Sequence, residues 1–516
     1  MLSYIAYLLA LITILPLSCL AQGVASDTGG SIMESDTTIL SLEGLDQFVM
    51  QVQRNWSAPG IAIGIVQDGK TIYLKGFGYR DIDNHYHVTP NTLFSIASST
   101  KSFTATGIGV LLDEGKVSWD TPVRECLSWF QLKDPVASQY TTVRDMLCHR
   151  TGLPAHTLMQ FSIAKQFDRR EIARRLRYLE PNHEFRSLFQ YQNQMYQVAT
   201  VIIEELSGQR WEEFTRQRLF EPLEMHRSRF SQAHPTGQED DVAFMYELNE
   251  NSDLVRLPSM DPFLKEISGS GAIYSSAREM CNWLLMNLNN GTLGNQQVVS
   301  PSTLNALHTP QVVIPGTLLP EVLHQTYTLG WNAMVYRGHI LLNRPGGAPG
   351  IASQVVLLPA DDIGVVILAN HETSTGHLIL TFDIIDRLLQ LEPIPWLERL
   401  WPFEAGARQY AQQMRQPSKA SLPDAPPTRP LEAFTGNYEN PGYGLITITH
   451  EQGELFLDFV EKLPLRHLHN NVFEGFQLYR FFEFRFETDM DGDIASIVAP
   501  LEPPVSDIVF RRIEQN

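Results

Sequence analysis

The chain has 516 residues, of which 43% are hydrophobic and 19% charged, and its formal net charge is −19. That length exceeds what one hydrophobic core usually serves, so two or three domains are expected. The composition is that of a globular protein, and the acidic balance argues against nucleic acid or an anionic membrane surface as partner.

Residues 2–21, "LSYIAYLLALITILPLSCLA", carry no charge and end in small residues. They predict an export signal over 1–21, cut between Ala21 and Gln22, and hence a secreted or periplasmic protein. No Lys or Arg precedes the run, so an uncleaved N-terminal membrane anchor is the alternative. No later apolar run approaches membrane-spanning length. The remaining cysteines, Cys126, Cys148 and Cys281, are odd in number and widely spaced. They form neither a disulfide framework nor a metal-binding pattern, and no metal or cofactor is expected.

After a polar, flexible lead-in over 22–40, an amphipathic helix is predicted at 41–56 from Leu42, Leu45, Phe48, Val49 and Val52. "IAIGIVQDGKTIYLKGFGYRD" reads as two strands about the Asp68–Gly69 turn. Helices follow at 98–114, 142–148, 169–179, 192–206 and 276–289, then strands at 351–358 and 363–369, then a helix at 373–390. Strands at both ends around a helical middle predict one α+β unit over 41–403 whose terminal pieces share a sheet. A helix at 404–416 leads into "PSKASLPDAPPTRP", a stiff linker with five prolines in fourteen positions. From Leu431 to 516, short alternating runs such as "GLITITH", "ELFLDFV" and "FFEFRFE" predict a small all-β module.

Three clusters can carry chemistry. Ser98–Ser99–Thr100–Lys101 is a Ser-x-x-Lys match, and positions i and i+3 of a helix face the same way. A desolvated lysine beside the hydroxyl can take its proton, and the helix start adds a positive end. Ser and Thr also cap helices, so a plain helix start is the competing reading. Tyr191-x-Asn193 puts a phenol beside an amide, which can relay a proton and orient a carbonyl. "LNRPGGAPG" offers a cation at Arg344 and, at Gly346 and Gly347, backbone able to lie close to a ligand. Each alone is equally read as a helix start or a turn.

Together they resemble the serine β-lactamases and penicillin-binding proteins, in particular the class C-like group with its D-peptidases and esterases. The likeness runs from residue 41 to about 395. It rests on "APGIAIGIVQDGK", "NTLFSIASSTKSFTA", "TTVRDMLCHRTGLP", "FQYQNQMYQVATVIIEELSG", "LFEPLEM", "GAIYSSAREM", "YTLGW" and "RPGGAPG", in family order. The resemblance implies a β-lactamase/transpeptidase-like fold, with an antiparallel sheet of N- and C-terminal strands and a helical subdomain. It implies that Ser98 attacks a carbonyl to form an acyl-enzyme, while Lys101 poises the proton network. Tyr191 would exchange the proton, Asn193 would hold the substrate amide, and the N–H groups of Ser98 and Gly347 would face the oxyanion.

The third motif departs from the family's usual Lys or His followed by a small or hydroxylated residue. Here it is Arg344–Pro345–Gly346, and Arg344 is expected to attract a substrate carboxylate through its bidentate fork. Pro345 fits a strand only where no neighbouring strand needs its N–H. "FTGNYENPGYGLITITHEQGELFL" resembles the lipocalin-like C-terminal domain of some members, which can cap the cleft or mediate assembly. His149 is expected to be structural, and Asp489–Asp491–Asp493 to form a turn.

The expected activity is metal-free hydrolysis of amide or ester bonds in D-amino-acid, small-peptide or ester substrates. Carboxylesterase and β-lactamase activity are alternatives on the same site. A non-catalytic binding protein on this fold is the rival from another class, and homo-oligomer formation is left open.

Overall fold

The computed structural model describes residues 42–232, 241–249, 251–316, 319–373, 375–417, 425–477 and 480–514. The signal segment, the lead-in and residues 418–424 of the proline-rich linker lie outside the described residues.

The elements that position the site are α1 (Leu45–Trp56), β1 (Gly60–Gln67), β2 (Lys70–Asp81), β3 (Tyr86–His87), α2 (Thr100–Asp113), α3 (Thr157–Ala164), α4 (Gln194–Ser207) and α5 (Ala277–Leu288). They continue with β4 (Val312–Val313), β5 (Val322–Tyr327), β6 (Asn332–Tyr336), β7 (His339–Ala348), β8 (Ile351–Leu358), β9 (Ile363–Ala369), α6 (Gly376–Leu388) and α7 (Trp396–Met414). Among the described residues the nine strands form one sheet in the order β4-β5-β6-β7-β8-β9-β1-β2-β3. The terminal strands do meet, with Ile61 opposite Ala369 through Gln67 opposite Ile363.

β8 and β9 are buried along their whole length and β1 up to Gln67, because both sheet faces are covered; Ser353 and Gln354 are the polar residues buried in β8. Ala62 and Val66 pack into the helical half, whereas Ile61, Ile63 and Ile65 pack against the terminal helices α1, α6 and α7. α2 is buried almost from end to end, which makes it the central post of the helical half.

Two expectations are corrected here. The last helix runs Trp396–Met414 and so crosses the expected boundary at 403/404; Pro402 inside it reads as a helix breaker in sequence, yet Trp396, Leu397 and Leu400 anchor it to the sheet. The helix expected from Ser98 begins at Thr100, and Ser98 lies in a separate 3₁₀ turn, Ala97–Ser99.

The C-terminal module is a closed barrel of strands β10 (Gly436–Asn440), β11 (Gly444–Glu451), β12 (Glu454–Asp458), β13 (Lys462–His469), β14 (Val472–Gln477), β15 (Arg480–Thr488), β16 (Ile494–Ala499) and β17 (Ile508–Ile513). Pairing of β10 with β17, Asn437 opposite Ile513, closes it, as a lipocalin-like domain requires. The aromatics of β15 alternate inward, with Phe482, Phe484 and Phe486 buried; on β14 Phe473 is buried and Phe476 exposed. Asp489 Oδ1 accepts from the N–H groups of Asp491 and Asp493 (3.0 Å each), which makes that acidic run a self-capped turn.

Candidate active site

Ser98 is held by its backbone before its side chain is considered. Ala97, just ahead of it, has φ 43, a left-handed conformation that is costly for a residue with a Cβ and is found where the surroundings over-determine it. Ser353 on β8 donates to the carbonyl of Ile96 (2.7 Å), and Ser99 Oγ donates to the carbonyl of Arg344 on β7 (2.9 Å). A Cβ at Gly346 would lie 2.2 Å from the oxygen of Ile96 and 3.1 Å from the nitrogen of Ser98. The missing side chain at Gly346 is therefore what lets β7 lie against the Ala97–Ser99 turn, which brings Gly347 beside it. β6 pairs with β7 only as far as Asn332 opposite Asn343, so Pro345 lies where β7 has a ladder partner on one side only.

Ser98 Oγ has two partners at 3.0 Å, Lys101 Nζ and the hydroxyl of Tyr191. Lys101 is fully buried at the start of α2 and also donates to Asn193 Oδ1 (2.6 Å) and the carbonyl of Ser270 (2.8 Å). Burial, with Arg344 nearby, lowers its pKa to about 8. Tyr191 sits just before α4. Burial raises its pKa, but Arg344 and Lys101 outweigh that and bring it down to about 8. When the pair has lost one proton, either the phenolate or the amine can receive the proton of Ser98.

Arg344 does not lie as expected. It is 1% exposed and turned inward, donating to the carbonyl of Ser98 (2.8 Å), to the Tyr327 hydroxyl (2.7 Å) and to the Tyr191 hydroxyl (2.6 Å). The expected contact with a substrate carboxylate is corrected accordingly. Arg344 shares its strand face with buried Leu342, and that face is roofed by the two tyrosines.

Asn193, expected to hold a substrate amide, has both ends engaged within the protein. Its Oδ1 takes Lys101, and its Nδ2 donates to Gln160 Oε1 (2.8 Å). His149 is structural, as expected. Its Nδ1 accepts from the backbone N–H of Gln192 (3.4 Å), so Nε2 carries the proton and faces the Tyr327 hydroxyl (3.2 Å). Burial, Arg344 and Lys101 hold it neutral, well below the usual range. Sequence reasoning assigned no role to Tyr327 or Gln160. Tyr327 stands in the quoted "YTLGW", and Gln160 is the polar interruption in "LMQF".

A helix-and-sheet body with a Ser-x-x-Lys turn, a tyrosine on the serine and a glycine strand beside it defines the β-lactamase and transpeptidase class of serine hydrolases. The chain belongs to the beta-lactamase family, whose sequence model matches residues 45–388. A domain of unknown function (DUF3471) matches 421–512. Unguisins hydrolase ungD' of Aspergillus campestris is 32% identical over 79% of this chain and 77% of its own. The octameric penicillin-binding protein homologue from Pyrococcus abyssi has the same fold, with TM-score 0.62 and 22% identity over 91% of this chain and all of that one. The class C beta lactamase from Rhodobacter sphaeroides, TM-score 0.53 and 20% identity, covers 69% of this chain and all of its own.

Proposed function

We propose that this serine hydrolase cleaves amide or ester bonds through an acyl-enzyme on Ser98. The observation that carries the reading is that Ser98 Oγ lies 3.0 Å from two groups, Lys101 Nζ and the Tyr191 hydroxyl, both poised near neutral pH. As Oγ bonds to the substrate carbonyl carbon, its proton passes to the Tyr191–Lys101 pair. The carbonyl oxygen becomes an oxyanion facing the N–H groups of Ser98 and Gly347. Collapse breaks the bond to the leaving group, which takes the proton back from Tyr191 and departs as an amine or alcohol. Water then attacks the Ser98 ester and yields its proton to the same pair, releasing an acid and restoring the serine.

Arg344 acts on Tyr191 in this scheme, holding its oxygen toward Ser98 and favouring its ionised form. Asn193 keeps the ammonium of Lys101 in line. The favoured substrates are D-amino-acid or small-peptide amides and esters, with β-lactams as a lesser alternative. The unguisins hydrolase name of a relative supports a hydrolytic role. The charge-free run at 2–21 supports export, which N-terminal sequencing of the secreted chain would check by a start at Gln22.

Intact-mass labelling with a fluorophosphonate and a penicillin tests the site. An adduct on Ser98 that is lost in Ser98→Ala is expected; an adduct confined to another serine would overturn the assignment.

A further inference from the structure

The C-terminal barrel reaches the catalytic half mainly through one short helix, α3, and it holds that helix at both ends. α3 has no side-chain cap of its own, and the residue before it, His156, is left-handed at φ 40. The cap comes from the barrel instead. Buried Glu502 accepts from the N–H of Leu158 (2.7 Å), and the N–H of Met159 also donates to its carboxyl group, whose pKa burial pushes up to about 8. Beside it, the hydroxyl of Tyr443 donates to His156 Nδ1 (2.7 Å), because the other ring nitrogen is spent on the carbonyl of Glu180 (2.9 Å). At the far end, Ser162 Oγ donates to the carbonyl of Tyr443 (2.9 Å), Gln166 accepts from Leu445 N (2.9 Å), and Lys165 donates to the carbonyl of Val460 (2.5 Å).

Between those clamps, one turn in from the Glu502 cap, α3 carries Gln160. Its Oε1 takes the Asn193 amide, whose oxygen in turn takes Lys101 Nζ. The path from the barrel's carboxyl group to the serine is continuous: Glu502, the first turn of α3, Gln160, Asn193, Lys101, Ser98. An N-terminal cap stabilises a helix by about 1 kcal/mol and fixes where its first turn lies. In an eight-residue helix, the first turn is half the element.

We infer that Glu502 is a positioning residue for the catalytic centre: by capping α3 from the barrel, it sets Gln160 and through it the Asn193–Lys101 contact. The inference rests on the serine-hydrolase reading above. It also gives the barrel a part in the chemistry that neither capping the cleft nor assembly would supply.

The test is a double-mutant cycle on the full chain, reading the rate of Ser98 acylation by a small fluorophosphonate. That probe has no amide for Gln160 or Asn193 to bind, so an effect of Gln160 on it is an effect of positioning. Glu502→Ala and Gln160→Ala are each expected to slow acylation roughly tenfold, and the double variant to be no slower than about twofold below the slower single one. Glu502→Gln keeps an acceptor for the helix N–H groups and is expected to restore most of the rate. Glu502→Ala acylating at the full rate, with only a lowered melting temperature, would overturn the inference. So would losses that multiply in the double variant. A wild-type chain that takes no label on Ser98 would instead overturn the hydrolase reading itself.

Discussion

Ser98 accepts hydrogen bonds from two donors in the resting arrangement, so it can give up its own proton only after one of them has lost a proton. Lys101 and Tyr191, both lowered to about 8, share that requirement and act as one unit. Lys101→Ala and Tyr191→Phe are each expected to reduce the acylation rate on the order of 10²–10⁴-fold, with the double variant little worse than either single one. Strictly multiplicative losses in stopped-flow acylation would show two independent groups.

The sign of the pH dependence follows from the same pair. Below about pH 8 both protons are in place and no base is available, so acylation rises with pH and levels off above that value. Arg344 lowers both pKa values. Arg344→Met should therefore move the rising limb to higher pH, while Arg344→Lys keeps the charge and leaves the limb close to its place. A limb unmoved in Arg344→Met would remove Arg344 from the proton chemistry.

Ser98, Lys101, Tyr191 and Asn193 can be picked out in sequence because the members of each pair lie within three positions of each other and the pairs stand in family order with the other quoted segments. The direction of Arg344 cannot. Strand alternation assigns it a face, but only the fold shows that Tyr191 and Tyr327 roof that face. Gln160 and Tyr327 escape for the same reason, since their partners are 33 and 17 residues away.

The element that matters most to the placing of Ser98 is β7, because it lies against the Ala97–Ser99 turn without a side chain at Gly346. The atoms a methyl group would strike there include the backbone oxygen of Ile96, which cannot swing aside as a flexible side chain could. Gly346→Ala should lower stability by roughly 1–3 kcal/mol through overpacking. It should also abolish labelling of Ser98, because relief can come only from parting the strand and the turn. Calorimetry and labelling together check this, and a wild-type melting temperature with full labelling would contradict it.

At this scale the apolar runs of β1 and β9 announce themselves in sequence, being continuous and of strand length, and β8 does so through its second half, Val355–Leu358. β5 and β6 do not. "VLHQTY" and "NAMVY" mix polar and apolar residues because they lie toward the thinner edge of the sheet, beyond full cover.

Across the whole molecule, the sheet joins the first and last strands of the catalytic unit, the helical half supplies serine, lysine and tyrosine, and the barrel clamps the helix behind Asn193. The two-body plan was legible in the change of texture at Leu431, whereas the docking was not, since His156, Tyr443 and Glu502 are far apart in sequence. The barrel's aromatics are largely its own filling, with Phe473, Phe482, Phe484 and Phe486 buried.

All of this converges on one covalent event. Acid quenching during turnover of an activated ester, followed by trypsin and mass spectrometry, looks for that event directly. The fragment over residues 81–101 holds Ser98 together with Ser95 and Ser99, so fragmentation must locate the added mass. The account predicts an acyl group on Ser98 that appears within the first turnover and is absent in Ser98→Ala. Turnover with no acylated Ser98 at any quench time, or with the acyl group on Ser95 or Ser99, would contradict it.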